Sequence, residues 1–407
     1  MKTEFVDVLV IGAGPSGAVS ASILHQKGIK VKVVEKQKFP RFVIGESLIP
    51  RVMDNFDEAG FIEGILEKNF EKKLGARFLR GEEVCNFDFS QKFSKGWDWT
   101  WQLPRAEFDK TLTDILESRG VDIEFETGVD HVEFHGTDSV TTVSNSEGTK
   151  QIHAKFIIDS SGYGRVLPKI LNLDAPSSLD SMAAIFVHLK DERRPEGVEG
   201  TLITFDVLTQ KNWFWVIPFS NGISSLGLVA PKEYLESIDT GDNTKTFQNI
   251  INQSDYYKDR FDGLEFLFEP KKIVSYSAAV KQLYGPGYSL TGNSAEFLDP
   301  VFSSGVCFAT ESGALSARLA ARQIKGETVD WQTEYEDYIM YGVNVFRSYV
   351  KTWYTGELQK LFFHPEVNED IRRKICAVLA GYVWDKENPF VAKHDRAVQA
   401  VAHILPE

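Results

Sequence analysis

Three glycines spaced G-x-G-x-x-G between two apolar runs, a strand-dominated stretch from 176 to 275 and a helical, aromatic stretch from 331 to 407 predict an α/β protein. The expected parts are a Rossmann-like dinucleotide-binding domain, a mostly antiparallel second sheet and a helical C-terminal cap. The first is discontinuous, residues 1–175 and 276–330, with parts of 70–105 joining the second sheet at 176–275; the cap spans 331–407.

The apolar run Val6–Ile11 reads as a buried parallel strand. Gly12 permits the tight turn after it, Gly14 lets backbone N–H groups approach a pyrophosphate, and Gly17 lets the next helix pack close to the strand. Pro15 and Ser16 open that helix, whose positive end faces the phosphates, and Gly28 ends it. A second strand, Val31–Val34, closes on Glu35, 18 residues after Gly17. A carboxylate there accepts hydrogen bonds from a ribose and repels a 2′-phosphate, which argues against NADP; Lys36 beside it is a further candidate contact.

Residues 39–50 carry Pro40, Gly45 and Pro50 and no regular period, so they form a loop, with Arg41 and Ser47 as candidate cofactor contacts. A helix is expected over 51–68. Lys72 and Lys73 then enter a strand on opposite faces, so at most one points inward. Trp97, Trp99 and Trp101 alternate along a strand, as core or as a substrate wall. Arg105 precedes an amphipathic helix, 106–119, and could reach a phosphate or ribose. Val129 lies in the strand region that follows, and Asn145-Ser146-Glu147-Gly148 signals a hairpin. The buried run Lys155–Ile158 ends on Asp159 and the Gly162 turn, a ligand position at the end of a parallel strand.

Within 176–275, Trp213, Trp215 and Ile217 share one face of a strand. Tyr288–Ala295 resumes the buried-strand pattern and carries Gly292 and Asn293. Asp299–Gly305 leads to a helix near Val306 that is rich in small residues, packs tightly and directs its N-terminal N–H groups at a ligand.

The net charge of −13 disfavours nucleic acid or an anionic membrane as the main partner. No run of 18 apolar residues is present, so no integral membrane segment is expected. Cys85, Cys307 and Cys376 form no C-x-x-C pair; no metal site is expected, and a reducing cytoplasm is the simplest setting.

Taken together, the Gly-rich opening, the Asp159–Gly162 turn and the Thr291–Gly305 segment resemble the FAD-binding fold of the single-component flavoprotein hydroxylases. That resemblance implies FAD, with Pro300, Gly305 and Val306 on its flavin side. Asn293 departs from the aspartate usual at the ribityl chain; asparagine keeps an acceptor and adds a donor. Within that superfamily the chain is most similar to the flavin-dependent halogenases, across roughly residues 5 to 325. Trp213-x-Trp215-x-Ile217-Pro218 matches the family's W-x-W-x-I-P signature, Gly45–Pro50 its loop after the second strand, Lys73 its catalytic lysine, and Asp299–Gly305 its flavin-side loop.

The resemblance implies that reduced FAD from a separate flavin reductase, oxygen and chloride or bromide give hypohalous acid. The halide is held near Ser304 and Gly305, Lys73 delivers the halogen to an electron-rich arene, and Trp213, Trp215, Ile217 and Phe302 wall the substrate. Phe302 stands where tryptophan halogenases carry a general-base glutamate, which favours an already activated phenolic or pyrrolic ring, free or presented on a carrier protein. The alternatives are an aromatic hydroxylase, a reductase of isoprenoid-type double bonds on the same fold, and a flavin-bearing protein without turnover.

Overall fold

The computed structural model describes residues 2–406. Strand β1 (Lys2–Ile11) turns into α1 (Pro15–Gln26) and returns as β2 (Val31–Val34), whose four residues are all buried. Helices α2 (Val52–Glu58) and α3 (Ile62–Leu66) follow the loop at 39–50. The single helix expected over 51–68 is two helices, because Gly60 adopts φ +68° and breaks the run. Next come β3 (Glu71–Lys73), β4 (Gly75–Arg80), β5 (Glu83–Asp88), β6 (Thr100–Gln102) and α4 (Arg105–Ser118). Strands β7 (Asp122–Glu124), β8 (Gly128–His135), β9 (Asp138–Asn145) and β10 (Gly148–Asp159) lead to α5 (Val166–Ile170).

The second sheet domain holds β11 (Asp174–Ala175), β12 (Met182–Lys190), β13 (Ile203–Val207), β14 (Trp213–Pro218) and β15 (Ile223–Pro231). Helices α6 (Lys232–Ser237), α7 (Asn243–Ile251) and α8 (Lys258–Phe261) cover it, followed by β16 (Lys271–Val274) and β17 (Ala279–Val280). The chain re-enters the first sheet through β18 (Tyr284–Gly285) and β19 (Tyr288–Leu290), then forms the long helix α9 (Gly305–Ile324). The cap is α10 (Asp337–Thr355), α11 (Glu357–Phe363), α12 (Glu369–Leu379), α13 (Pro389–Ala392) and α14 (Ala397–Ile404).

In the first sheet the order is β18-β19-β10-β1-β2-β7, and β1 pairs in parallel with both β2 and β10. Apolar side chains on both faces of Val8–Ile11 and Phe156–Ile158 suit a sheet covered on both sides. The second sheet runs β16-β12-β15-β14-β13-β4-β5, antiparallel except where β13 meets β4. Alternation along β14 divides two cores. Trp213, Trp215 and Ile217 face the large core shared with the nucleotide domain, whereas Phe214 and Val216 face a smaller one under α7.

Close backbone approaches set the first domain. A Cβ on Gly17 would lie 1.9 Å from the Gly12 carbonyl oxygen, so only glycine allows α1 to rest on the turn. A Cβ on Gly313 would lie 2.7 Å from the Ser16 carbonyl oxygen, and Ser20 Oγ donates to the Gly313 carbonyl at 3.0 Å. Thus α9 packs against α1 almost backbone to backbone.

Asp299 ties the remaining parts together. Its Oδ1 accepts from the Val301 N–H at 3.0 Å; its Oδ2 accepts from Tyr276 Oη at 3.1 Å and from Tyr354 Oη on α10 at 3.0 Å. Tyr354 Oη in turn accepts from Trp213 Nε1 on β14 at 3.0 Å. One carboxylate therefore joins the loop before α9, the second sheet and the cap. Burial pushes its pKa up to about 6 against the pull of these hydrogen bonds.

Two outcomes are expected. Gly313→Ala overpacks the α1–α9 contact and should cost about 1–3 kcal/mol of stability, read as a lower midpoint in thermal unfolding. Because Asp299 binds its proton more tightly folded than unfolded, its contribution to stability falls as pH rises from about 4 to about 6. Asp299→Asn removes that dependence: its unfolding free energy should exceed the wild type's above pH 6, by an amount on the order of 1–3 kcal/mol, read as a higher midpoint, and the advantage should be lost towards pH 4. Parallel midpoints across this range would contradict the assignment.

Candidate active site

The N-terminus of α1 is open. Its N-cap, Gly14, supplies no side-chain cap, and Pro15 occupies the first turn, where a missing N–H is not a loss. A Cβ on Gly14 would meet only Arg41 Nη2, at 3.6 Å, so the space over this glycine is free, unlike that over Gly12 and Gly17. Arg41 and Arg105 converge above it on one carboxylate. Asp109 is wholly buried; its Oδ2 accepts from Arg41 Nη1 at 2.9 Å and from Arg105 Nη2 at 2.9 Å, and its Oδ1 from Arg105 Nε at 2.8 Å. Two guanidiniums sharing one carboxylate leave a net positive charge beside the helix N-terminus. Arg105 also donates to the carbonyls of Ile44 and Gly45, at 3.3 and 3.4 Å, fixing the loop. Asp109 is invisible to motif reading; the i, i+4 spacing from Arg105 on one helix was its only signal.

Glu35 is buried with its carboxylate on backbone donors, Ala13 N–H at 2.9 Å and Gln37 N–H at 2.9 Å. Each oxygen keeps a second lone pair for a ribose hydroxyl. Lys36 is exposed beside it. Val129 lies at a bulge in β8, two residues beyond Thr127, whose N–H donates to the Glu35 carbonyl at 2.9 Å.

Asp159 sits at the end of β10 with no exposed surface. It takes the N–H groups of Ser161 at 2.9 Å and Leu167 at 2.7 Å, so it holds the turn that contains Gly162 at φ +59° and starts α5. Ser16 Oγ donates to Thr291 Oγ1 at 2.8 Å, and Ser160 Oγ lies 2.7 Å from the same hydroxyl, locking the first strand end to the last. Gly292, at φ +56°, opens the short turn that carries Asn293, whose side chain makes no hydrogen bond among the described residues. Pro300 begins a second turn, Ser303 takes φ +54°, and Ser304 caps α9 without a side-chain bond. The N–H groups entering α9 at Ser304, Gly305 and Val306 thus lack a side-chain acceptor. An open helix end under two arginines, a ribose-ready carboxylate and a second open helix end on the returning segment fit an extended dinucleotide such as FAD.

Lys73 is the inward member of its pair, 2% exposed, while the Lys72 ammonium lies outside, 4.5 Å over the Trp99 ring. Lys73 Nζ donates to the Leu48 carbonyl at 2.7 Å and to Ser47 Oγ at 2.9 Å. No carboxylate offsets its burial, which lowers its pKa to about 7. Ser47, expected as a cofactor contact, holds this amine. The loop bearing Ser47 is held beyond it as well, since the Leu103 N–H donates to the Glu46 carbonyl at 2.8 Å.

Trp213 and Trp215 are buried and oriented by their indole nitrogens, Trp213 on Tyr354 and Trp215 on Ser225 Oγ at 3.2 Å. A Cβ on Gly227 would lie 2.2 Å from the Trp215 ring, so that glycine makes its room. Ile217 is buried on the same face. Phe302 packs among the rings of Phe346, Tyr349 and Trp353 of α10.

No group of His, Cys, Asp and Glu among the described residues could hold a metal, and no described helix is long and apolar enough to cross a membrane.

Comparison with known proteins agrees with this geometry. The family described as FAD binding domain matches residues 5–254. A 1H-pyrrole-2-carbonyl-[peptidyl-carrier protein] brominase of Pseudoalteromonas luteoviolacea is 27% identical, over 94% of this chain and 93% of its own. Flavin-dependent halogenase armH5 of Armillaria mellea is 30% identical, over 82% of this chain and 68% of its own. A crystal structure of a flavoprotein/dehydrogenase from Cytophaga hutchinsonii is 50% identical, covers 98% of each chain and superposes with a TM-score of 0.96. The open helix N-terminus, the paired arginines and the W-x-W-x-I-P strand therefore belong to an FAD-dependent oxidoreductase, and the chain is a member of the flavin-dependent halogenase family.

Proposed function

We propose that this enzyme halogenates an electron-rich phenolic or pyrrolic ring, with Lys73 as its catalytic residue. The observation that carries the reading is the Lys73 amine: fully buried, without a counter-ion, and held on Ser47 and the Leu48 carbonyl with its pKa near 7. A lysine kept only for structure would be paired or exposed.

Bound and reduced, FAD would supply, with oxygen, the oxidation that converts halide to hypohalous acid. The rest falls to the chain. The α1 N-terminus, Arg41, Arg105 and Glu35 hold the adenine half and pyrophosphate; the turn at Gly292–Asn293 and the loop at Pro300 hold the flavin half. The N–H groups of Ser304, Gly305 and Val306 offer preorganised donors to chloride or bromide, as an oxyanion hole does to oxygen. The buried Trp213, Trp215 and Ile217 keep the arene apart from the flavin side. The neutral Lys73 amine has both N–H groups on fixed acceptors, so its lone pair is free to take the halogen and pass it to the ring. Phe302 and its aromatic neighbours supply no base, which suits a ring activated by its own hydroxyl or nitrogen.

The carrier-protein substrate in the brominase's name makes a carrier-bound pyrrole one candidate, beside free phenols. A separate flavin reductase supplies the reduced cofactor, and a cytoplasmic setting matches the three free, buried cysteines.

Incubation with a flavin reductase, NADH, oxygen, bromide and a panel of phenols and pyrroles, read by mass spectrometry, should give bromide-dependent mass gains. Oxygenated products without halide dependence would instead favour a hydroxylase. Lys73→Met should abolish halogenation while the protein stays yellow; normal halogenation would sink the lysine assignment. Because burial lowers the lysine pKa, the unfolded chain binds more protons between about pH 7 and 10. Lys73→Met should therefore raise the unfolding midpoint by a few degrees, on the order of 2–4 °C per kcal/mol, at neutral pH and below, with the gap closing as pH approaches 10. The wild-type rate should rise with pH through about 7 as the amine loses its proton; a rate that falls through 7 would mean that the ammonium is the working form. Gly14→Val fills the space over the α1 N-terminus and should yield colourless protein.

A further inference from the structure

The surroundings of Lys73 hold two polar atoms that its own hydrogen bonds leave unused. Lys73 on β3 stands directly opposite Thr100 on β6, and Ser47 stands opposite Gln102 on the other edge of β6. Directly paired side chains share a face, and so do residues two apart on a strand. Lys73, Thr100, Gln102 and Ser47 therefore lie on one face. To reach Ser47 and the Leu48 carbonyl, the lysine side chain must cross over β6 at Thr100. Thr100 and Gln102 have no exposed surface, and neither Thr100 Oγ1 nor Gln102 Oε1 has a hydrogen-bond partner.

The Gln102 amide cannot turn to repair this. Its Nε2 donates to the carbonyls of Pro218 at 2.9 Å and Thr201 at 3.0 Å, which fixes the oxygen on the opposite side. An unpaired buried acceptor and an unpaired buried hydroxyl each cost on the order of 1–3 kcal/mol unless a ligand or water meets them. Both lie on the same face as the buried Lys73 amine, which has no counter-ion among the described residues.

Resting on the halogenase reading above, we infer that Thr100 and Gln102 hold the oxygen end of hypohalous acid while Lys73 takes its halogen. In this arrangement Gln102 Oε1 accepts from the acid's O–H, and the Thr100 hydroxyl donates to its oxygen. The Lys73 nitrogen forms the bond to halogen as the oxygen–halogen bond breaks. Both bonding electrons leave with oxygen, the departing hydroxide takes a proton from the nitrogen, and the products are a haloamine and water. The cradle admits a small neutral oxidant, which distinguishes it from the halide site at the α9 N-terminus.

The test pairs turnover with a direct view of the amine. Thr100→Val keeps the shape and removes the hydroxyl; Thr100→Ser restores it. Hypohalous acid is measured by trapping with monochlorodimedone and halogenated phenol by mass spectrometry. The ratio of phenol product to hypohalous acid should fall about tenfold or more in Thr100→Val and return in Thr100→Ser. In protein labelled with 13C at lysine Cε, the Lys73 titration midpoint should move down by about half a unit or more in Thr100→Val, because a dipole beside the ammonium is lost. An unchanged product ratio, or an unmoved midpoint, overturns the inference. If the wild type makes neither hypohalous acid nor halogenated phenol, the halogenase reading fails on its own, and the midpoint still decides whether Thr100 meets the amine.

Discussion

The desolvation of one ammonium group governs how this molecule is put together. Lys73 lies inside the protein with no carboxylate against it, and its pKa falls from the ordinary lysine value to about 7. Each pKa unit corresponds to about 1.4 kcal/mol, so the fold bears a cost of several kcal/mol to keep this amine where it is. The short β3–β6 ladder, the Ser47–Leu48 loop and the carbonyl it presents are what make that burial possible. Burial is what makes such an amine available in neutral form: in water the same lysine would be protonated and unreactive at neutral pH.

Around that amine the structure separates two kinds of chemistry. The cofactor side is charged and backbone-rich: two open helix ends, two arginines on one buried aspartate, and a glycine whose missing Cβ is space for phosphate. The lysine side is buried, with the Phe89 ring centroid 5.6 Å from the Lys73 nitrogen and a few oriented polar atoms. In the proposed reaction, oxidant is made where donors can stabilise anions and used where an amine can stay neutral. The Asp299–Tyr354–Trp213 connection holds the two sides in register, since it joins the flavin-side loop to the strand that divides them.

Much of this was legible in the chain. The G-x-G-x-x-G turn, the closing Glu35 and the small-residue helix depend on local spacing, and local spacing is what a sequence displays. The alternation along β14 correctly separated Trp213, Trp215 and Ile217 from Phe214 and Val216, because a strand has only two faces. Lys72 and Lys73 had to face opposite ways for the same reason, though only tertiary packing decided which one was inside. The break at Gly60 was missed because a helical apolar pattern continues across it, and a positive φ leaves no mark on periodicity. The bond between Ser47 and Lys73 leaves no mark in the loop that follows the second strand. The two lie 26 positions apart across a ladder that no local signal announces. Asp109 and Tyr354 were silent for a similar reason, since a buried carboxylate or phenol is defined by partners distant in sequence.

The same physics explains how a scaffold for flavin chemistry acquires a second reaction centre. Lys73 draws its partners from the loop at 47–48 and the strand pair beside it, and the paired arginines bond Asp109 rather than this amine. The two centres meet only through shared supports. The loop that Arg105 clamps at Ile44 and Gly45 is the loop that presents Ser47 and Leu48 to the amine three residues on. A cofactor phosphate drawing on Arg41 and Arg105, as proposed, would act on the same short segment that fixes the lysine. The segment is too short, and too firmly bonded at Glu46, Leu48 and Arg51, for its two ends to move independently. The backbone segment that Arg105 clamps is thus continuous with the one that fixes the Lys73 amine, and both sets of contacts are carried by one loop.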